Sequence, residues 1–291
     1  MRKVDEILNN QLLTIAAETA IDAGREILIV YDKGKTQVWS KEDDSPLTDA
    51  DLKSHETIIA RLNKTGYPVL SEESKHEIYN IRKNWTKLWL VDPLDGTKEF
   101  IKRNGEFTVN IAYIEDGLPQ LGVIFVPVLN ELFIGDVNIG TFKTVLPKNW
   151  RKEKISVNNL NWTELNHPCL NEEITMVVSK SHFSDETKLF VDKVEQYFNK
   201  YKSVSAGSSL KLCMVASGNA HAYPRFGPTM EWDTAAGHAL IKAMGGMLLT
   251  CPEMVELRYN RENLLNPWFI CLDGGEHTSS LLQLSKSMDI K

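Results

Sequence analysis

The spacing of apolar residues changes once along this chain of 291 residues, and the change predicts two halves of different construction. The first half has two stretches with apolar residues three or four positions apart, followed by short apolar runs, a pattern typical of helices packed against strands. After a polar stretch, short apolar runs alternate with helical spacing, which is typical of an α/β arrangement. We therefore predict an α+β half over residues 1–148 and an α/β half over residues 149–291.

The first half is predicted to contain two helices on a largely antiparallel sheet. Residues 5–31 form one long helical stripe, and a second helix begins at Thr48 or Asp49, either of which can cap it, and ends at a Gly-Tyr-Pro sequence. Asp116 and Gly117 lie where a hairpin turn is expected. The predicted strands cover residues 69–70, 88–91, 107–113, 121–125 and 131–134.

The second half is predicted to alternate strands with helices, without internal repeats or low-complexity segments. Its predicted elements are a strand over 174–179, a helix over 185–197, a short strand, a helix over 208–217, a strand over 221–223 and a helix over 234–244.

Charge and cysteine placement restrict the partners and the compartment. The formal net charge is -6 and no Lys/Arg cluster is long enough to follow a nucleic-acid backbone, so a nucleic-acid polymer is excluded as a partner. The four cysteines lie far apart, without a zinc-binding spacing, and are predicted to be reduced. Polar residues interrupt the first apolar run, so neither a signal peptide nor a membrane span is predicted and a cytoplasmic location is expected.

A predicted buried strand runs directly into a turn that carries two carboxylates, Asp92 and Asp95. Pro93 fixes its own φ and Gly96 permits a backbone conformation closed to other residues, so the two aspartates can converge, with the Leu94 carbonyl beside them. Oxygen ligands of this kind suit Mg²⁺. Taken alone, the same Asp-x-x-Asp-Gly pattern is also typical of a polar turn whose aspartates cap backbone N–H groups.

Two further acidic residues lie at the ends of predicted elements. Glu72 follows a short apolar strand, where adjacent carboxylates are also typical of solvated surface. Asp233 begins a predicted helix, where aspartate is also a common N-cap. If these residues met Asp92 and Asp95 in one pocket, mutual repulsion would require bound cations. Convergence of the three segments would therefore imply a divalent-metal site.

Residues 92–97 and 232–237 resemble the signature pair of the inositol monophosphatase superfamily. Within it, residues 96–108, 207–211 and 223–229 resemble the bacterial 3'(2'),5'-bisphosphate nucleotidases of the CysQ type, whereas inositol phosphatases typically read Gly-Thr-Thr-Asn-Phe after the acidic turn. The resemblance extends over nearly the whole chain. It implies a layered α/β/α/β/α sandwich with the active site between the two halves.

This resemblance also implies roles for residues at matching positions. It makes Glu72, Thr97 and Asp51 the catalytic residues, with Glu72 and Thr97 orienting the attacking water. The implied cofactor is Mg²⁺, as two or three ions that support in-line hydrolysis without a covalent intermediate. The implied metal ligands are Glu72, Asp92, the Leu94 carbonyl, Asp95 and Asp233. The implied substrate-binding residues are Asp95, Gly96, Thr97, His182, Ser208, Lys211, Arg225 and Asp233.

The activity implied by the resemblance is removal of the 3'-phosphate of adenosine 3',5'-bisphosphate to give AMP. Inhibition by lithium and calcium and a role in sulfate assimilation follow from the same resemblance, and the related phosphosulfate nucleotide stays open as a second substrate. Two alternatives remain: an inositol or other sugar phosphatase of the same superfamily, and a non-catalytic metal or nucleotide sensor. A monomer is expected, and a loose association with the inner membrane stays open.

Overall fold

Sheets and helices alternate in the computed structural model, which describes residues 3–34, 37–41, 45–165, 173–179 and 184–288. The helices are α1 (Lys3–Leu8), α2 (Gln11–Asp32), α3 (Asp49–Leu62), α4 (Tyr79–Arg82), α5 (Thr97–Ile101), α6 (Asp185–Tyr197), α7 (Leu210–Ala216), α8 (Glu231–Ala243) and α9 (Thr278–Lys286). The strands are β1 (Val38–Ser40), β2 (Pro46–Thr48), β3 (Val69–Ser71), β4 (Lys87–Asp95), β5 (Thr108–Glu115), β6 (Leu118–Val126), β7 (Glu131–Asp136), β8 (Gly140–Val145), β9 (Thr163–Glu164), β10 (Ile174–Ser179), β11 (Tyr201–Ala206), β12 (Ala222–Arg225), β13 (Met247–Thr250) and β14 (Phe269–Leu272).

Five layers result, because each of the two larger sheets is covered on both faces. Helices α2 and α3 pack on the outer face of the large sheet, β3 to β9. Helices α7 and α8 lie between it and the small sheet, β10 to β14, and α6 and α9 cover the far side of the small sheet. This arrangement confirms the predicted α/β/α/β/α sandwich. Across the described segments, no helix combines the length and the apolar character that a membrane crossing requires.

The large sheet is antiparallel except at one edge. Its strands follow chain order from β3 to β9, and only β3 pairs in parallel, with β4. The turn between β5 and β6 is formed by Asp116 and Gly117, both in the left-handed region with φ of 50° and 76°, as the predicted hairpin requires. Alternate residues along each strand bury opposite faces: Trp89 and Val91 face α2 and α3, whereas Leu88 and Leu90 face α8.

The predicted helix over residues 5–31 is wrong in its continuity, since the chain forms two helices there. Asn10 has an extended backbone and its side-chain oxygen accepts the N–H groups of Leu12 and Leu13, which caps a new helix. The next helix, α3, begins after Thr48 as predicted, with Thr48 and Asp51 forming a reciprocal capping box.

The small sheet is mixed and contains more elements than predicted. Strand β10 pairs in parallel with β11 and β12, whereas β14 runs antiparallel to β12 and β13. The predicted strand over 174–179 and helix over 185–197 are confirmed. Strands β13 and β14 and helix α9 were not predicted, and neither were β1, β8, β9, α4 and α5 in the rest of the chain, because their short runs lack a clear period.

Helix α8 approaches the large sheet closely because small residues face each other there. A Cβ atom on Gly122 of β6 would lie 2.3 Å from the carbonyl oxygen of Ala236 and 2.7 Å from Cβ of Ala239. Only glycine allows this distance between strand and helix. The first turn of α8, which carries Asp233, is thereby held against the strands of the large sheet.

Candidate active site

The acidic turn lies at the end of β4, where the strand pairing with β5 shifts register between Asp92 and Asp95. The N–H of Leu94 donates to Oδ1 of Asp92 at 3.0 Å, and the Pro93 carbonyl accepts a hydrogen bond from Ser54 Oγ at 2.6 Å. Gly96 follows with φ of 95°, a backbone conformation that residues other than glycine rarely adopt. The turn is therefore fixed on both sides before any ligand binds.

Three carboxylates converge beside this turn. Oxygen atoms of Glu72, Asp92 and Asp233 lie within 4.8 Å of one another, although the residues come from three separate segments. Burial, followed by the neighbouring carboxylates, raises the pKa of Asp92 and of Asp233 well above the usual range. A cluster of hard oxygen donors at this spacing fits a divalent cation such as Mg²⁺, which would relieve the repulsion.

The convergence of Glu72 and Asp233 follows from local structure. The N–H of Glu72 donates to the Val91 carbonyl at 3.1 Å, which extends the β3–β4 pairing by one residue and places Glu72 next to the acidic turn. Asp233 lies in the first turn of α8, and its Oδ2 accepts the N–H of Met230 at 2.8 Å. Asp233 therefore caps α8 and belongs to the carboxylate cluster at the same time.

Asp95 lies next to the three converged carboxylates and has its own partners. Its Oδ2 accepts the backbone N–H of Ser209 at 2.7 Å and lies 2.6 Å from Ser209 Oγ. Asn110 Nδ2 also donates to this oxygen at 3.2 Å. Asp95 thus links the acidic turn to the loop before α7.

A hydroxyl group and a buried carboxylate face each other behind the turn. Thr97 Oγ1 donates to Asp51 Oδ1 at 3.0 Å and lies 3.4 Å from the Leu94 carbonyl oxygen. The other oxygen of Asp51 accepts both the N–H and the hydroxyl of Thr48, at 2.8 Å and 2.6 Å. Burial raises the pKa of Asp51, and these hydrogen bonds oppose the shift. The orientation of the Thr97 hydroxyl is therefore fixed by a helix cap.

A cavity of about 230 Å³ opens beside the carboxylates. Among the predicted substrate-binding residues, it is lined by Asp95, Gly96, Ser208, Lys211, Arg225 and Asp233. Thr97 is not part of its lining, and His182 lies outside the described residues. Lys98, Glu99, Tyr223 and Thr229 also line it; they belong to the segments 96–108 and 223–229 that carry the resemblance, but no binding role was predicted for them.

Two buried cationic side chains line this cavity. Lys211 Nζ donates to the Ser208 carbonyl at 2.5 Å and lies 5.4 Å from the centre of the Tyr223 ring, and burial lowers its pKa to about 8. Arg225 Nη2 donates to the Pro228 carbonyl at 2.6 Å. Its buried Nε has no hydrogen-bond partner among the described residues. This wall of the cavity is suited to an anion.

Some contacts at the site involve residues that sequence reasoning missed. Lys41 Nζ lies 2.7 Å from Glu72 Oε1 and 2.6 Å from Glu73 Oε1, so an ammonium group partly neutralises the acidic cluster. Ser209 and Asn110 bind Asp95. Ser209 stands beside Ser208 within residues 207–211, one of the segments that carry the resemblance, and this is a usable signal, whereas no local pattern distinguishes Lys41 or Asn110.

Comparison with known proteins assigns the chain to a family. The sequence profile of the inositol monophosphatase family matches residues 8–285. The chain belongs to this family. It is 42% identical over 262 residues to a 3'(2'),5'-bisphosphate nucleotidase CysQ of Escherichia coli K12, covering 89% of this chain and 98% of the relative. The protein of the same name from Haemophilus influenzae is 33% identical over 273 residues, covering 93% and 94%.

Solved structures of family members show the same fold. The crystal structure of CysQ from Bacteroides thetaiotaomicron, described as a bacterial member of the inositol monophosphatase family, superposes with a TM-score of 0.82 at 43% identity, covering 92% of this chain and 99% of that one. An inositol monophosphatase of Thermotoga maritima gives a TM-score of 0.69 at 20% identity over 98% and 97% of the two chains, a likeness of fold alone.

Proposed function

We propose that this protein is a 3'(2'),5'-bisphosphate nucleotidase that hydrolyses the 3'-phosphate of adenosine 3',5'-bisphosphate to AMP and phosphate. One observation carries the proposal: a cluster of carboxylates suited to divalent cations adjoins a cavity with two buried cationic side chains. The first feature suits the phosphate that is cleaved, and the second suits a phosphate that is retained. A substrate with two phosphates uses both.

The proposed cofactor is Mg²⁺, as two or three ions held by Glu72, Asp92, the Leu94 carbonyl, Asp95 and Asp233. When bound, such ions supply Lewis-acid activation of water and neutralise the charge that develops on the phosphoryl group and the leaving oxygen. The oxygen donors of the cluster are of the kind that this ion prefers.

Thr97, Asp51 and Glu72 orient the attacking water in this proposal. Because the Thr97 hydroxyl proton is donated to Asp51, the lone pairs of Thr97 Oγ1 are left to accept a hydrogen bond from water. Glu72 Oε provides a second acceptor, and two acceptors fix the direction in which the water oxygen points. The chain thereby contributes positioning rather than a nucleophile of its own.

The retained phosphate is placed against Lys211, Arg225 and Ser208. The buried Nε of Arg225 gains a partner when an anion binds, and Lys211 gains a counter-charge that favours its ammonium form. A substrate with one phosphate leaves both cations without that partner. His182 stays a predicted contact outside the described residues. The division of the chain near residue 148, sensitivity to lithium, a cytoplasmic location and a monomeric state belong to the same proposal.

The test is a panel of substrates assayed with Mg²⁺ and with excess chelator. Purified protein should release phosphate faster from adenosine 3',5'-bisphosphate than from inositol 1-phosphate or fructose 1,6-bisphosphate, and chelator should stop release. The reverse order of rates would instead assign the protein to the sugar phosphatases of the family. No release from any substrate would favour a sensor.

Lys211→Met tests the retained-phosphate site separately. It removes a charge-assisted contact of about 1.5–3 kcal/mol, so KM for adenosine 3',5'-bisphosphate should rise about tenfold or more. Adenosine 3'-monophosphate, which lacks the second phosphate, should be hydrolysed by the variant as by the wild type. Lys202→Met on the exposed surface of β11 is the matched control. Equal effects on both nucleotides would contradict the assignment.

A further inference from the structure

The loop over residues 207–209 is held by one face of the chain leading into and along β5. Glu106 Oε2 accepts the N–H of Gly207 at 2.8 Å. Thr108 Oγ1 lies 2.7 Å from Ser208 Oγ. Asn110 Nδ2 donates to Ser209 Oγ at 2.8 Å. Residues two apart on an extended chain share a face, so three successive loop residues each contact one member of an alternating set, which we call the β5 ladder.

The β5 ladder is also connected within itself and to the acidic turn. Thr108 Oγ1 donates to Asn110 Oδ1 at 3.0 Å, and both residues are buried. Asn110 also donates to Asp95 Oδ2. A buried network whose members are satisfied by one another holds its geometry tightly. Movement of the loop would therefore break several hydrogen bonds together.

This loop lies where the acidic and cationic parts of the site meet. Ser209 contacts Asp95 through its backbone N–H, and its Oγ lies 2.9 Å from the Asp233 carbonyl oxygen. The Ser208 carbonyl accepts a hydrogen bond from Lys211. The position of the loop thus sets the distance between the carboxylates and the Lys211 ammonium.

Backbone conformation and steric fit indicate that the loop is held in place rather than relaxed. Ser208 has φ of 51°, a left-handed conformation that is unfavourable for residues other than glycine and persists only where surrounding contacts impose it. A Cβ atom on Gly207 would lie 2.8 Å from Glu99 Cγ and 3.0 Å from Glu106 Oε2. Such strain is concentrated at functional sites.

We propose that Glu106, Thr108 and Asn110 are positioning residues that fix the spacing between the cleaved and the retained phosphate. The inference rests on the proposed function and deepens it. The β5 ladder selects a nucleotide with two phosphates by holding loop 207–209 in its strained conformation. Glu106 is the informative position, because it is absent from the cavity lining and from the carboxylate cluster.

The experiment compares Glu106→Leu with Glu106→Gln. Leucine removes the acceptor of the Gly207 N–H at similar volume, whereas glutamine keeps an acceptor oxygen. In Glu106→Leu, KM for adenosine 3',5'-bisphosphate should rise at least tenfold more than KM for adenosine 3'-monophosphate. Amide hydrogen exchange at residues 207–209 should accelerate, and Glu106→Gln should restore both. Glu153→Leu, at an exposed position, controls for the added apolar group.

Several outcomes would overturn the inference. Wild-type selectivity in Glu106→Leu would do so, and so would a loss in Glu106→Gln as large as in Glu106→Leu. If Glu106→Leu does not fold, Thr108→Val decides the matter by the same two measurements, because it removes the hydroxyl that contacts both Ser208 and Asn110 at nearly unchanged volume. If the wild type does not hydrolyse adenosine 3',5'-bisphosphate, only the proposed function is refuted. Unchanged hydrogen exchange at 207–209 in Glu106→Leu would separately refute the positioning role of the β5 ladder.

Discussion

Asp92 is 2% exposed, and the carboxylates near it include those of Glu72, Asp95 and Asp233. Its raised pKa means that the folded state binds a proton more tightly than the unfolded chain. As pH rises above the unfolded value near 4, the folded state must lose that proton at a cost, so stability falls with rising pH. Without a cation, this cluster is a source of instability in the fold.

Asp92→Asn is therefore expected to separate stability from function. In excess chelator, thermal unfolding measured between pH 4 and pH 8 should show a smaller decline for the variant than for the wild type, and the variant should unfold at a higher temperature at pH 8. Hydrolysis should fall by about 10² or more, since positioning and electrostatics supply most of the acceleration. Equal pH slopes for the two proteins would show that Asp92 carries no penalty.

Thr97 is expected to act through its hydroxyl group. Thr97→Ala removes the oxygen that accepts from water, and kcat should fall by about 10² or more, while KM changes little. Thr97→Ser keeps the hydroxyl and the contact to Asp51, so its kcat should stay within about tenfold of the wild type. Steady-state kinetics on both variants provide the measurement, and equal kcat values would argue against the assigned role.

Whether a contact at the site could be predicted from the sequence depends on how far apart its two residues lie along the chain. Asp92 and Asp95 were identifiable because both belong to one short segment of the sequence, the turn at the end of β4. Two contacts join distant segments, and no local sequence pattern predicts them: Lys41 with Glu72, and Asn110 with Ser209. The proximity of Asp233 to Glu72 was inferred through resemblance rather than through residue spacing.

At the scale of elements, the contact between β6 and α8 is expected to tolerate no added volume. Gly122→Ala would place a methyl group against the backbone of Ala236, which cannot yield as a flexible side chain would. Overpacking of this kind costs about 1–3 kcal/mol, and the displaced α8 would carry Asp233 away from Glu72. We expect a lower unfolding temperature and weaker cation binding.

Gly34→Ala is the control for this change. A Cβ atom there meets no atom of the described residues within 4 Å, and φ is 76°, so the substitution introduces backbone strain without steric contact to that part of the chain. It should lower stability modestly and leave cation affinity, measured by titration calorimetry, unchanged. Wild-type cation affinity in Gly122→Ala would show that α8 can accommodate the methyl group without moving Asp233.

Element boundaries show where sequence patterns lose information. The helical spacing of apolar residues is kept across Asn9 and Asn10. Periodicity alone therefore does not reveal that one helix ends there and that Asn10 caps the next. Strands β13 and β14 lie on either side of an irregular stretch whose composition resembles a loop. By contrast, α3 and α6 had both a clear period and a capping residue, Thr48 and Ser184, and their limits were predicted well.

Across the whole molecule, the carboxylate cluster joins distant parts of the fold. Glu72 follows β3, Asp92 lies on β4, and Asp233 belongs to α8 in the middle layer. A site that contains all three carboxylates exists only in the folded chain. Cation binding there should therefore stabilise the protein by about 2.7 kcal/mol at a cation concentration one hundred times Kd. Mg²⁺ should therefore raise the unfolding temperature.

The matched variant is Asp233→Asn, which removes one charge and keeps the oxygen that accepts the Met230 N–H. Its unfolding temperature should respond little to Mg²⁺, and calorimetry should detect weakened binding. A shift as large as that of the wild type would place the cation elsewhere.

The class of the fold was predictable because helical spacing and short strand-like runs are arranged differently in the two halves of the chain. The order of the layers was not predictable from these patterns. Apolar spacing identifies α8 as a helix without saying that it packs against both sheets. The five-layer order was supplied by resemblance to the family.

The position of α8 has a consequence for synthesis on the ribosome. Strands β4 to β6 emerge early, yet the side chains on their inner face, such as Leu90 and Ile124, pack against a helix that ends at Ala243. Until that helix leaves the exit tunnel, a broad apolar surface of the nascent chain faces water. Such surfaces are where chaperones bind and where unfinished chains aggregate.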